Sequence, residues 1–457
     1  MTTVRRDSSD QKVKSDQKVS VHKQTTPTDP PANDPLAPLR DPRYLGLLAL
    51  AGILGIPISA VAYGFLKLVS TTQEWIFTDL PVTLGFRAQP LWWPVPTLAV
   101  AGILVALAIR YLPGTGGASP ADGFSAHGAP APAELPGIAI AALATLCFGA
   151  VLGPEAPLIA IGGGLAAYAV RLARRDPPAR VSAVLAAAGG FAAISTLLGS
   201  PLIAAFLLME AVGLAGATLE LVLLPGLLAA GIGSLIFIGL GSWTGFGTFS
   251  LAIPNLPPVG QPNVAEFGWA LVIGVAAALI GSAIRLLGLR MRSPVERRLL
   301  WATPLVGLII AGLAIAYAQG SGRDTAEVLF SGQDALGPLI AHGAGYSLGA
   351  LLLLLVCKGL AYGASLSSFR GGPVFPAMFL GAVGGIAMSH LPGLPLVAGA
   401  AMGIGAMSAA MLKLPMTSVL MATLLLLTDG LATMPLVIVA VAVAYVTTVR
   451  LTPKPLG

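Results

Sequence analysis

From Leu45 to Val449 apolar segments follow one another almost without relief, at roughly 45–70, 92–109, 136–152, 157–172, 181–198, 201–240, 265–289, 299–318, 336–366, 374–389, 395–412 and 415–449. Few folds accommodate such a chain. The first 43 residues hold 8 of the 26 Lys+Arg and 6 of the 20 Asp+Glu, so the remaining 414 residues carry only 18 basic and 14 acidic side chains. Soluble domains carry charge on about 25% of their residues. The sequence therefore predicts an all-α polytopic membrane protein with the lipid bilayer as its solvent. Some segments can cross the about 30 Å hydrocarbon layer, but many are too short. Short apolar helices broken by Gly and Pro are tolerated at that depth only where protein buries the freed backbone or water lines it. Interrupted helices of this kind point to a transport pathway.

Residues 1–43 contain a tandem SDQKV (Ser9–Val13 and Ser15–Val19) followed by a Pro-rich polar stretch, and are predicted to form a disordered tail. No apolar core of about 7–15 residues follows the basic start, so the tail is not a signal peptide. Residues 44–457 form the predicted transmembrane domain. Its basic residues gather at Arg171, Arg174, Arg175 and Arg180 and again at Arg285, Arg290, Arg292, Arg297 and Arg298. Positive-inside orientation places these segments and the tail in the cytosol, and Phe246–Asn263, rich in turn formers and free of basic residues, on the opposite side of the cell membrane. The basic surplus is thus an orientation signal, and nucleic acid is not expected as a partner. Cys147 and Cys357 lie inside apolar runs, so neither a disulfide framework nor a metal cluster is expected.

Gly153–Gly164 (GPEAPLIAIGGG) precedes Gly189–Leu208, and Gly371–Gly385 (GGPVFPAMFLGAVGG) precedes Gly403–Leu425. The interval from Pro154 to Pro373 is nearly the same as that from Pro201 to Pro415. Shared order and spacing predict two structural repeats, about 44–240 and 264–457, around a central site.

In Gly153–Pro157 glycine lets the chain turn, and proline at a helix start removes an amide that would have no partner there. The remaining free amides and the positive end of the helix dipole make an anion site, and Glu155 sits at it. A carboxylate there can occupy the site when no ion is bound and leave on protonation, so Glu155 is a candidate gate; the plain alternative is a helix cap. Gly371–Pro376 has the same form without a carboxylate, directly after Arg370, and Gly114–Pro120 (GTGGASP) is a third Gly-rich break. Three converging helix starts would bind a desolvated anion without trapping it.

GPEAP resembles the G[KR]EGP motif of the chloride channel and transporter (CLC) family, Gly371–Gly385 its GGxFxP segment, and Gly114–Pro120 its GSGIP segment. LLGSPLIAAFLLMEA and KLPMTSVLMATLLLLTDG are similar to two further helices of that family, in the same order, so that the resemblance spans roughly residues 45–457. It implies a CLC-type fold of inverted repeats of tilted and broken helices, and a homodimer with one pore per subunit. Glu155 would be the gating glutamate, and Gly117, Ala118, Ser119, Gly153, Pro154, Ala156, Gly372, Pro373, Val374 and Phe375 would surround the anion. The departures are specific. Gly117 takes the place of the family's coordinating serine, with Ser119 two residues later; Pro373 removes a backbone N–H; and Ala211, after Glu210, falls on the internal proton-relay position. At the end of the chain Lys454–Gly457 resembles KPLY with Gly457 for the tyrosine, and no nucleotide-binding domain pair is expected to follow.

Glu210 without an acidic neighbour reads as a structural hydrogen-bond acceptor, Asp429 as a turn residue at a helix end, and Lys358 either as an electrostatic aid to anions or as a snorkelling side chain. His22, His127, His342 and His390 have loop-like or tail contexts, and no cofactor or metal is expected. Neither HExxH nor GxGD occurs, and the acidic residues do not pair in aspartate-rich motifs, so no enzyme is expected. The function expected is transport of chloride or another small inorganic anion, gated by Glu155, without the standard proton coupling. The alternatives are a proton-coupled chloride antiporter and an inverted-repeat carrier for another solute.

Overall fold

The computed structural model describes residues 41–452 apart from 125–127, 174–177, 196, 199, 213–216 and 246–259; the side chains of 212, 217–220 and 427–430 lie outside the described set as well. Of the features expected from the sequence, the tail repeat, most of Phe246–Asn263, Arg174, Arg175, His127, Gly457 and the side chains of Glu220 and Asp429 fall outside it.

The elements of the described chain are helices. Helix α1 (Pro42–Glu74) continues through a π turn into the short α2 (Leu80–Thr83), and α3 (Pro94–Tyr111), α4 (Leu135–Cys147), α5 (Glu155–Ala173), α6 (Ala179–Ala193), α7 (Pro201–Val212) and α8 (Ala217–Thr244) follow. The second half runs α9 (Val264–Arg297), α10 (Leu299–Ser321), α11 (Gln333–Ala341), α12 (Leu348–Ser368), α13 (Val374–Met388), α14 (Leu396–Leu412), α15 (Pro415–Leu425) and α16 (Leu427–Leu451). Among the described residues eight helical spans are long and apolar enough to cross a membrane. Helices α4, α6, α7, α13 and α15 have 11 to 15 residues. At about 1.5 Å per residue they cannot cross about 30 Å unaided.

Two apolar runs that read as continuous are divided. The run 336–366 breaks where Gly343–Gly345 form a tight 3-10 turn and Ser347 caps α12 by accepting from the Ala350 N–H at 3.2 Å. The run 415–449 parts at Leu426. That last division places Asp429 within the first turn of α16 and not in a turn that closes a preceding helix.

Helix α13 is buried on nearly every side and α14 on all of them, which is what an all-round apolar sequence demands. Their backbones meet through glycine. A Cβ on Gly381 or Gly403 would overlap the other's carbonyl oxygen, and Gly385 faces Gly399 in the same way. Helices α5 and α6 cross identically, with Gly162 against Gly189. The interval from Gly162 to Gly381 equals that from Pro154 to Pro373, and the interval from Gly189 to Gly403 equals that from Pro201 to Pro415. In an apolar solvent helices gain by close van der Waals contact, and only small residues permit it.

Lys358 neither snorkels nor faces an anion path. Fully buried on α12, its ammonium donates to the carbonyls of Glu327 (3.0 Å), Val328 (3.1 Å), Leu329 (3.0 Å) and Phe330 (3.3 Å), with the Phe379 ring 4.5 Å away. Those carbonyls belong to a turn braced from outside. The Glu327 carboxylate accepts from Tyr317, from Tyr346 at 3.0 Å and from Arg323 at 3.4 Å, and Arg323 stacks on the Tyr346 ring. Burial, and the carboxylate beside it, push the Tyr346 hydroxyl up to about 12, so it remains a donor.

Two stability tests follow from this packing. Gly403→Ala should cost about 1–3 kcal/mol because the obstructing atom is backbone, whereas Gly384→Ala, whose added methyl meets nothing within 4 Å, should be neutral or slightly stabilising. Lys358→Met leaves four inward carbonyls without their donor and should cost about 3 kcal/mol or more. Thermal unfolding of the purified protein in detergent reads both.

Candidate functional site

Between α4 and α5, and again between α12 and α13, the chain leaves the helical path inside the protein, and each backbone group there needs a partner. Gly149, at φ +98°, turns the chain out of α4 and accepts from the Phe330 N–H at 3.2 Å. Val151 donates to the Ser365 hydroxyl at 3.1 Å, and Arg370 donates its backbone N–H to the Thr145 hydroxyl at 3.1 Å. Gly153 and Gly372 then exchange two hydrogen bonds as an antiparallel bridge, Gly153 N to Gly372 O at 2.8 Å and Gly372 N to Gly153 O at 2.6 Å. The interval between these two glycines is again that between Pro154 and Pro373. A reciprocal contact between equivalent positions is what a two-fold relation produces. Helices α5 and α13 therefore start back to back.

Glu155, the first residue of α5, is fully buried, and its Oε1 accepts from the Phe375 N–H at 2.8 Å. The carboxylate of one helix start thus sits on the amide of the other. Its Oε2 has no hydrogen-bond partner among the described residues. A Cβ on Gly153 or on Gly372 would fall on this carboxylate, which explains glycine at both places. The buried Tyr362 hydroxyl donates to the Pro373 carbonyl at 2.8 Å and fixes the start of α13.

Gly153, Pro154, Glu155 and Ala156 are in this way brought against Gly372, Pro373, Val374 and Phe375. The bridge occupies the amides of Gly153 and Gly372, and Pro154 and Pro373 have none to offer. The Phe375 N–H is the amide bonded to the carboxylate. Gly117, Ala118 and Ser119 meet Ala156 and Pro373 in the lining of a cavity of about 1350 Å³. They do not start a third helix. Gly114–Pro120 runs through a 3-10 turn (Pro113–Gly116) into a second of three residues, Pro120–Asp122, because four successive residues, Gly114, Thr115, Gly116 and Gly117, and then Gly123 take positive φ. Gly117 stands at φ +94°, a conformation that a serine there would adopt only under strain. The Ser119 hydroxyl is buried without a partner.

Glu210 lies apart from this site. Its carboxylate caps α15, accepting from Met416 N (3.1 Å), Thr417 N (2.9 Å) and the Thr417 hydroxyl (2.7 Å). Ala211 packs against the core. Among the described residues no three His, Cys, Asp or Glu side chains gather to hold a metal, and His342 and His390 contact backbone carbonyls. One GxSxG stretch exists, Gly345–Gly349, but its Ser347 is the cap of α12, and among the described residues it follows a 3-10 turn and not a strand. Sequence reasoning missed the parts played by Tyr362, Ser365 and Arg370. Only Arg370 had left a signal, its place directly before GGPVFP.

A model of the voltage-gated chloride channel family matches residues 124–449. The chain is 30% identical over 361 residues to "Putative ion-transport protein YfeO" of Escherichia coli (strain 55989 / EAEC), covering 77% of this chain and 82% of that protein. It is 31% identical over 358 residues to the protein of the same description from Salmonella paratyphi A, covering 77% and 83%. Among solved structures, a slow cyanobacterial Cl-/H+ antiporter aligns with a TM-score of 0.71 at 18% identity, over 90% of this chain and 95% of that one. A CLC-type fluoride/proton antiporter aligns at 0.66 and 20%, over 88% and 95%. These likenesses establish the fold as the CLC type of inverted, broken-helix repeats. A family match over most of the chain and relatives at this identity lead to one conclusion: the chain is a multi-pass membrane protein that belongs to the voltage-gated chloride channel (CLC) family.

Proposed function

We propose that the protein carries chloride or another small inorganic anion across the cell membrane, with Glu155 as the gate of the pathway. One observation supports this reading above the rest: the Glu155 carboxylate occupies the amide at the start of α13, where a mobile anion would be bound. While ionised it competes with the ion; once protonated it gives up the charge that favours that place and swings away. Gly117, Ala118 and Ser119 line the approach, and the segments at 153–156 and 372–375 form the site itself. Membership of the CLC family supports anion transport, a homodimer with a pathway in each subunit, and a cytosolic tail at 1–43. The matching intervals between proline pairs and between glycine pairs support the repeats at about 44–240 and 264–457.

The proposed cycle runs without the standard proton relay. Ala211 has no titratable group, and the Glu210 carboxylate is engaged by three donors on α15. The second reading is a proton-coupled exchanger, which draws support from the two structural neighbours, each described as a proton antiporter.

Reconstituted in liposomes, the protein should release chloride down its gradient, faster as pH falls because protonation frees the gate. Glu155→Gln should raise efflux at neutral pH about tenfold or more, the worth of a hydrogen bond to a charged group, and remove the pH dependence. Absence of efflux of every halide and of nitrate would overturn the anion reading. A chloride gradient should drive no proton movement on a pH electrode. Stoichiometric proton flux that persists in Glu210→Gln would establish coupling by another route. Gly372→Ala sets a methyl on the carboxylate and should reproduce the pH-insensitive efflux of Glu155→Gln.

A further inference from the structure

We propose that Arg370 is the fixed cation that binds the transported anion on its approach to Glu155, with the Ser119 hydroxyl as its neighbouring donor. This rests on the anion reading above and adds a recognition element to it. The cavity of about 1350 Å³ extends from Arg171 and Ser182 to Ala156 and Pro157 beside the gate. A second cavity, of about 380 Å³, is lined by Arg292 and Glu296. Thr115, Gly117, Ala118, Ser119 and Arg370 line both, so Arg370 and this loop form the wall where the two spaces meet.

The cations around these spaces differ: Arg171, at the other end of the larger cavity, is exposed and also without a carboxylate partner among the described residues, whereas Arg292 and Arg370 stand beside the loop and are compensated differently. Arg292 is neutralised by ion pairs to Asp122 and, at 2.7 Å, to Glu296. The guanidinium of Arg370 forms no ion pair with a carboxylate among the described residues. Its Nε donates to the Thr115 carbonyl at 3.2 Å and its Nη1 to the Phe369 carbonyl at 3.2 Å. Two neutral carbonyls do not neutralise a full charge, and the carboxylates of Asp122 and Glu296, which favour that charge from a distance, are themselves held by Arg292. The hydrogen bonds of this guanidinium to the described protein atoms are those of Nε and Nη1, and the Ser119 hydroxyl in the same wall is buried without a partner. An unpaired guanidinium beside an unpartnered hydroxyl, lining a cavity that ends at the gate, is complementary to a small monovalent anion. Binding there also differs from binding at Glu155: a permanent charge attracts the ion at every pH, whereas the helix start is blocked whenever the carboxylate is ionised.

The test pairs Arg370→Gln with Arg370→Lys. Glutamine can still donate to the Thr115 carbonyl, so it holds the loop without the charge, while lysine keeps the charge. Calorimetric titration of the purified protein in detergent with sodium chloride and sodium nitrate should show the dissociation constant rise about tenfold or more in Arg370→Gln and recover most of that loss in Arg370→Lys. Equal affinity in Arg370→Gln and the wild type, or equal weakening in both variants, would overturn the proposal. A readout on the unaltered protein guards against misfolded variants: phenylglyoxal modification of Arg370, located by peptide mapping, should be slowed by either anion, and modification at an unchanged rate would count against the site. Wild-type liposomes that carry no anion would instead overturn the transport reading, so the two failures are distinguishable.

Discussion

Two glycines exchange a pair of hydrogen bonds at the centre of this protein, and most of what surrounds them is arranged so that they can. Helices α5 and α13 must begin inside the protein, where a free N–H or C=O costs on the order of 1–3 kcal/mol. The bridge between Gly153 and Gly372 satisfies four such groups at once and sets the two helix starts back to back. Because the bridge takes up those amides, the Phe375 N–H is left to face the carboxylate. The absence of a Cβ at both positions matters as much as the hydrogen bonds, since it leaves the space in which Glu155 sits.

Charge follows the same economy. Lys358 lies deep in the protein, yet four carbonyls from residues 327–330 surround its ammonium, and it behaves as a structural cation that ties α12 to that turn. The Phe330 N–H in turn donates to Gly149, at the entry to the extended segment before Glu155. The lysine thus acts on the site through backbone placement, not through its field. Glu210 similarly joins α7 to α15, whose first prolines are separated by the repeat interval. Within the described structure, buried charges next to the pathway are few, and each has an identifiable place.

The sequence made the membrane character, the breaks at Gly153–Pro157 and Gly371–Pro376 and the repeat interval legible, because apolar runs and Gly/Pro punctuation are local signals. The interval proved informative beyond the prolines that revealed it: it also relates Gly162 to Gly381 and Gly189 to Gly403, at helix crossings that no local pattern announces. What could not be read was set by distant partners. Nothing in the residues around Lys358 indicates that four carbonyls about 30 positions away will receive it. The Gly114–Pro120 segment has the punctuation of a helix start, but successive positive φ values from Gly114 through Thr115 and Gly116 to Gly117 carry it into short 3-10 turns. Arg370 is marked in the sequence only by its place before GGPVFP, and its lack of an ion-pair partner shows only in the structure.

The packing of α13 bears on what can move during transport. Its backbone touches that of α14 at Gly381–Gly403 and at Gly385–Gly399, with no side chain between them to adjust. Shifting it would open voids along a face that is buried almost all round, and each lost contact in so close-packed an interface carries its own cost. Its first turn is further held by the Tyr362 hydroxyl on the Pro373 carbonyl and by the Gly372 bridge just before it. The Glu155 side chain is restrained far less, with one hydrogen bond at Oε1 and none at Oε2. Rotation about its side-chain bonds breaks a single hydrogen bond, whereas tilting α13 breaks the bridge, the Tyr362 bond and the glycine contacts together. The least costly way to vacate the amide of Phe375 is therefore to move the carboxylate and leave the helices in place, which fits a gate that is a single side chain.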